Sequence, residues 1–423
     1  MRKSDSKNKK NSVKISILFV IIALIIALTA AGKKGLFEYG KQKLDDNANE
    51  ISAEELKENK YITFNDYMDQ PKNNYKEYKV ATKVKGLFTS VGAINTKSKR
   101  ENLIKLANET EVNSFVIDVK DDEGYISIEN DVPLVKEIDS DGYSKLFNTD
   151  YLMDTFRENN IYPIARIVCF KDPYLAKARP DLAIKNKDGS IWKYKGIAWL
   201  NPYNKDNWKY IVDVAKAAAE VGFKEVQFDY IRFEATKYLA DAEFGPGAED
   251  KTRKEVIIEF IDYAKQELEP YGVYVSADVF GTIMTSEVDA KKIGQDYVEM
   301  AKRLDSICPM VYPSHYGYGF FGIPSKQHSD LYPYETIYGS MLESEKRYKE
   351  IEQENKAIVR PWLQAFTASY LGNNKYTGGK NYMYYGEEAI RAQIQGAYDA
   401  GLEEWILWNS GGNYTGEGLV KIK

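Results

Sequence analysis

The chain has 423 residues, 43% apolar and 29% charged, with 33 tyrosines and two cysteines. That composition allows a sizeable core in one large domain or two average ones, and it excludes a disulfide framework, leaving Cys169 and Cys308 as buried thiols. The net charge of −5 hides a basic end: residues 1–34 carry eight Lys/Arg and one Asp, a net +7, which leaves −12 for the rest and argues against a nucleic-acid partner.

In chain order, residues 1–14 ("MRKSDSKNKKNSVK") read as a basic cytoplasmic tail. Residues 15–32 ("ISILFVIIALIIALTAAG") carry no charge and are long enough to reach across a bilayer. The positive cluster ahead of them predicts a single-pass anchor in the cell membrane with an extracytoplasmic C-terminal body. The small residues at 29–31 offer the alternative of a cleaved signal and a secreted product. Residues 33–80, rich in Lys, Asn, Asp and Glu, read as a polar stalk with one short helix in "SAEELKEN".

From residue 81 to 423 strands and helices alternate. Apolar runs predict strands at 85–91, 114–120, 162–170, 225–233, 273–280, 306–313, 358–366 and 404–409. Helical patterns fall between them at 98–110, 151–160, 207–222, 253–268, 294–304, 335–351 and 387–401, several of them ending in Gly or Asn. Eight strands with seven intervening helices predict an α/β fold, a (β/α)8 TIM barrel with long βα loops. No Gly-rich first turn supports a doubly wound sheet, and no phosphate-binding motif is present.

Strand alternation then assigns faces. In "EVQFDYIRF" Val226, Phe228 and Tyr230 share the outer face, and Gln227 and Asp229 the inner one, with Asp229 near the C-terminal end where barrels keep their chemistry. The same parity aims Ser276 and Asp278 inward on the fifth strand, and Asp118 and Lys120 on the second. A purely structural alternative is that Lys120, Arg166, Arg232 or Arg360 neutralises these carboxylates. With His315 and His328 the only histidines, neither a Ser-His-Asp triad nor a metal site is supported, and no cofactor or metal is expected. Two carboxylates acting without a cofactor are the equipment of glycoside hydrolysis. Arg232 is expected to hold Asp229 ionised as nucleophile or base, and Asp278, near Tyr274 and Phe280, to keep a proton as the acid, with Glu234 the alternative acid.

The loop at 171–204 places Trp192, Tyr194, Trp199 and Tyr203 among Lys, Asp and Asn residues that include Asn201. Such rings either stack on sugar faces or pack on one another. His315 in "YPSHY", Trp362, Gln364 and Asn409 complete the expected sugar-binding set with Asp118, Lys120 and Arg232.

The stretches "KDPYLAKARPDLAIK", "WLNPYN", "VQFDYIRF", "PMVYPSHY", "RPWLQAF" and "WILWNSGGNY" together resemble the signature stretches of a bacterial family described as a glycoside hydrolase domain. The resemblance runs from about residue 81 to the C-terminus. It implies a TIM barrel distantly related to α-amylase-type barrels, with Asp229 in the nucleophile position and Asp278 in the acid position. Asp278 stands where those enzymes have Glu, and Gln364, Ala365 and Phe366 stand where they end the seventh strand with a third carboxylate. The expected function is cleavage of an envelope or extracellular polysaccharide by an exported, membrane-tethered hydrolase. Its rivals are an inactive sugar-binding or scaffolding barrel and a metal-dependent deacetylase.

Overall fold

A computed structural model describes residues 61–63, 79–352 and 356–422. The anticipated basic tail, membrane segment and stalk helix lie outside these residues. Within the anticipated stalk, Tyr61–Thr63 and Lys79–Ala81 form a two-stranded parallel sheet, a pairing that the polar composition around them did not announce. Among the described residues no helix is long and apolar enough to cross a membrane.

The rest is built on eight parallel strands: β1 (Lys85–Thr89), β2 (Ser114–Lys120), β3 (Tyr162–Val168), β4 (Glu225–Asp229), β5 (Tyr274–Phe280), β6 (Ser306–Met310), β7 (Ile358–Val359 and Trp362–Gln364) and β8 (Trp405–Trp408). Each pairs with the next, and β8 pairs with β1, so the sheet closes into a barrel and no edge strand is left. The interruption in β7 falls at Arg360 and Pro361, where proline has no N–H to give to the ladder.

Helices α1 (Lys97–Glu109), α2 (Thr149–Glu158), α3 (Lys205–Val221), α4 (Arg253–Leu268), α5 (Tyr297–Ala301), α6 (Pro333–Tyr348) and α7 (Glu387–Asp399) fill the seven crossovers. Their ends follow local chemistry. Thr252 and Glu255 form a reciprocal capping box that starts α4. Gly222, at φ 120°, ends α3 and turns the chain toward β4 through a conformation that a side chain would resist.

Alternation along the strands separates two apolar layers. Phe115, Ile117, Val226, Phe228, Val275 and Ala277 point outward onto the helices, where Phe228 meets Phe260 of α4 edge-on at 5.5 Å. Phe88, Val116, Ile164, Cys308, Trp362 and Ile406 fill the interior, and both cysteines are buried thiols. Beneath them, at the N-terminal ends of the strands, the barrel is plugged by charge. Arg360 bonds Glu225 at 2.6 Å, Glu404 at 2.7 Å and the Ser306 hydroxyl at 3.2 Å, and all three charged side chains are at most 5% exposed.

Removing one member of a buried ion network strands the others in low dielectric, which costs about 3–5 kcal/mol. Arg360→Met therefore lowers unfolding free energy by that amount in denaturant titrations. A loss below 1 kcal/mol would mean that the plug contributes nothing to stability.

Candidate active site

The mouth of the barrel is organised by Arg166. It lies on the inner face of β3, in parity with Tyr162 and Ile164, and is 8% exposed. Its Nε and Nη2 donate to Asp229 Oδ2 at 3.0 and 2.5 Å, Nη1 to Asp118 Oδ1 at 2.5 Å, and Nη2 also to Asp122 Oδ1 at 3.0 Å. Burial alone would pull the Arg166 pKa down, but the carboxylates around it, Asp229 foremost, push it well above the usual value.

Asp229 ends β4. Its Oδ1 accepts the N–H of Tyr230 at 2.6 Å, and Tyr230 takes φ 48°, a left-handed conformation that costs a non-glycine residue about 1–3 kcal/mol. This turn overturns the expectation that Tyr230 packs outward in a longer strand. Its hydroxyl instead reaches Asp122 Oδ2 at 3.3 Å, and Lys171 sits 4.7 Å from its ring centre. Burial favours a proton on Asp122, but Arg166 and Lys171 outweigh it and hold that carboxyl at about 2.

Asp278 is 1% exposed and accepts Trp362 Nε1 at 2.6 Å on Oδ1. The β4–β5 register pairs Gln227 with Ser276 and Phe228 with Ala277, so Asp229 and Asp278 are level neighbours one step further along. Burial first, and the charge of Asp229 second, push the Asp278 carboxyl well above its usual range, as expected of an acid. Burial likewise raises Asp118 to about 6, against the opposing pull of Arg166.

The opposite side of the mouth is aromatic. Trp408, at the end of β8 and partly exposed, stacks on Phe88 at 6.0 Å and contacts Tyr312 at 6.0 Å and Phe366 at 5.3 Å. Strands β2 to β5 thus supply carboxylates and their cations, while β1, β6, β7 and β8 supply rings. Flat apolar faces opposite paired carboxylates suit a sugar ring held for attack at its acetal carbon.

Several expected site residues do other work. Arg232 makes no ion pair with Asp229, the role that falls to Arg166; it lies among Trp199, Tyr230 and Phe280, and its Nη1 donates to the Phe233 carbonyl at 2.9 Å. Lys120 is turned away from the mouth because the β2–β3 register skips Val119, bringing Lys120 level with outward-facing Ile167. There it is fully buried, 2.8 Å from both Asp172 and the Val168 carbonyl. Trp192 and Trp199 are 4% and 1% exposed, so the 171–204 loop has packed its rings into its own core and offers no stacking platform there. Asn201 pins that loop through the Phe244 carbonyl at 2.7 Å.

Trp362 is likewise buried and acts as the donor to Asp278, not as a surface for sugar. Gln364, fully buried, ties Ser314, Asp330 and Phe366 together. Asn409 closes a turn by accepting Gly411 N at 3.0 Å and donating to the Ala365 carbonyl at 2.8 Å. His315 does stand exposed at the rim, edge-on to Tyr312 at 5.0 Å. Glu234 stays on its loop and accepts Ala235 N at 2.9 Å. Of the cations named as neutralising partners, Arg166 is the one that pairs with Asp118 and Asp229, and strand parity could also have found Trp408, which continues the inward series Glu404, Ile406. Asp122 lies past the β2 bulge, where parity no longer applies.

The model of a family described as "Putative glycosyl hydrolase domain" matches residues 86–414. Among solved structures, a hypothetical protein from Ruminiclostridium thermocellum ATCC 27405 is 41% identical over 46% of this chain and 97% of its own, with a TM-score of 0.42. The PgaB (BpsB) glycoside hydrolase domain from Bordetella bronchiseptica is 11% identical over 78% of this chain and 95% of its own, with a TM-score of 0.54, a likeness of fold. The Bacillus megaterium QM B1551 spore cortex-lytic enzyme SleL is 14% identical over 81% of this chain and 74% of its own, with a TM-score of 0.46. No curated protein matches the chain.

The raised carboxyl of Asp118 makes a pH prediction with a definite sign. It binds its proton more tightly folded, at about 6, than at its ordinary value of 3.8, so its contribution to stability is full below the lower value and lost as pH rises through the upper one. The unfolding free energy of the wild type minus that of Asp118→Asn should therefore fall between about pH 4 and 6 and level off above, read by urea titration at each pH. A flat difference across that window would show that Asp118 is not a proton-holding group.

Proposed function

The chain belongs to this glycosyl hydrolase family, and from that premise we propose that it cleaves a glycosidic bond with Asp278 as proton donor and Asp229 as nucleophile or base. The observation that carries the reading is the pair itself: two level carboxylates on neighbouring strands, one ion-paired to Arg166 and the other buried beside Trp362 with its proton favoured. Environments that drive two acids apart assign the acid and its partner. Adjacent parallel strands lie about 4.8 Å apart, which favours the close carboxylate spacing of about 5–5.5 Å used by retaining enzymes over the wider inverting one. Trp408, Phe88 and Tyr312 would face the sugar, and Asp118 and His315 would line its approach.

The substrate we infer is a polysaccharide. Tyr143, Phe147, Tyr151, Tyr238, Phe320, Tyr370, Tyr376 and Tyr384 are all at least 42% exposed. All but Tyr151, which lies in the first turn of α2, fall in a segment between a strand's C-terminal end and the next crossover helix, the face on which barrel enzymes bind. Rings spread across that face fit a chain longer than the mouth alone could hold. The basic run and apolar segment at 1–32 support an exported, membrane-tethered placement, and with it an envelope or extracellular polymer.

Reducing-end release from a panel of polysaccharides tests this reading. Asp278→Asn and Asp229→Asn should each lower turnover by about 10²–10⁴-fold, the span of a lost acid or base, without lowering affinity for the polymer to match. One observation favours a second reading, a barrel that binds glycans without cleaving them: both oxygens of Asp229 are already engaged, by Arg166 and by Tyr230 N. Wild-type protein that binds a glycan but releases no ends, with binding unchanged in Asp278→Asn, would establish that alternative.

A further inference from the structure

Arg232 is a buried cation that no carboxylate of the described residues touches, although the charge of Glu234, two residues on, acts on it. It is 7% exposed, and among the described residues it forms no ion pair; its one hydrogen bond goes from Nη1 to the Phe233 carbonyl at 2.9 Å. Three rings enclose its guanidinium carbon, Phe280 at 4.5 Å, Tyr230 at 4.8 Å and Trp199 at 5.1 Å to their centres. Cation–π attraction offsets part of the desolvation, but these rings accept no hydrogen bonds in the guanidinium plane. Its Nε and Nη2 have no partner among the described residues, yet neither is sealed from solvent.

The position of this arginine gives the unused donors a purpose. Tyr230 follows Asp229 directly, Phe280 lies two residues beyond Asp278, and both rings are partly exposed. Arg232 therefore lies by the C-terminal ends of β4 and β5, three residues past Asp229, in the notch framed by these two rings and buried Trp199. A guanidinium enclosed by rings, with adjacent N–H groups unpaired, can grip a carboxylate with two parallel hydrogen bonds. Of the charges around it, Asp118, Asp122 and Asp229 are ion-paired to Arg166, and Asp122 also to Lys171, while Glu234, whose charge acts on Arg232, makes no ion pair with it, so the guanidinium fork is left for an incoming anion.

We propose that the notch at Arg232 binds a carboxylate carried by the glycan, so that the site takes an acidic sugar beside the Asp229 end of β4. The proposal rests on the glycan reading of the mouth but not on hydrolysis. A hexuronic acid ring and an ether-linked lactyl group present the same planar anion, and either would supply it.

The test is equilibrium binding to the full chain, followed by tryptophan fluorescence and calorimetry. Glucuronate and N-acetylmuramate are the probes, with glucose and N-acetylglucosamine as their neutral counterparts. Hydrogen bonds to a charged group predict a preference of about ten- to a hundredfold for the acid over its neutral counterpart in the wild type. The preference should collapse toward one in Arg232→Gln, survive in part in Arg232→Lys and shrink with added salt. Which acid is preferred identifies the source of the carboxylate. Melting curves of both variants check folding, and if Arg232→Gln fails to fold, the Lys variant and the salt dependence decide. Equal binding of acid and neutral sugar, no binding of either acid at tens of millimolar, or a preference untouched by Arg232→Gln would each overturn the proposal. Acid preference in a protein that releases no reducing ends from any polysaccharide of the panel would instead sink the hydrolase reading and leave this one standing.

Discussion

The mouth of this barrel depends on one buried guanidinium. Three carboxylates, Asp118, Asp122 and Asp229, converge on Arg166, and without it they would be like charges crowded into a site of low dielectric. A fourth carboxyl, Asp278, is set differently. Burial first, and the charge of Asp229 second, favour its proton, and neither the Trp362 N–H donated to it nor the field of Arg166 outweighs them. The two level carboxylates thus differ because Asp229 bonds the Arg166 guanidinium directly and Asp278 is offered only an indole N–H.

The barrel carries a second ionic layer with the opposite character. At the floor, Arg360, Glu225 and Glu404 saturate one another in a plug that leaves nothing for a ligand. At the top, Arg166 is also saturated, but the groups around it keep unequal proton affinities and partial access to solvent. Between the two lie Gln227, Cys308 and Trp362, and Gln227 Nε2 bonds Cys308 Sγ at 3.1 Å. Trp362 is the one side chain of that middle layer shown bonding upward, to Asp278. A residue expected to stack on sugar is better understood as the post that fixes Asp278.

Much of the architecture was legible because it rests on periodicity. The alternation of eight strands and seven helices is written in runs of apolar residues, and the inward parity of Asp229, Asp278 and Asp118 followed from the pleat alone. What failed did so where the backbone leaves the pleat. Val119 drops out of the β2–β3 register and Lys120 changes sides, and the left-handed turn at Tyr230 ends β4 four residues early and swings its ring into the site. Choosing among cations failed for a different reason. Arg166 is distant from Asp229 in sequence and Arg232 is close, yet sequence proximity across a turn says little about which guanidinium shares a face with the carboxylate. Aromatic residues were misjudged in the same way: composition cannot separate a ring that packs its own loop, as Trp192 does, from one left partly bare at a strand end, as Trp408 is.

The depth of Asp278 sets a condition on whatever the site binds. A carboxyl that is 1% exposed holds its proton because water is excluded, and that exclusion also keeps out any ligand that stays at the rim. A ligand that reached Asp278 would have to displace the little solvent that touches Asp229 and Asp118 beside it. The left-handed turn at Tyr230 bears on that access: it ends β4 at Asp229 and sends the Tyr230 hydroxyl toward Asp122, with Lys171 over its ring. Strain placed on one residue of a strand end thus turns a ring that the pleat would have buried against the helices into part of the lining beside the carboxylates.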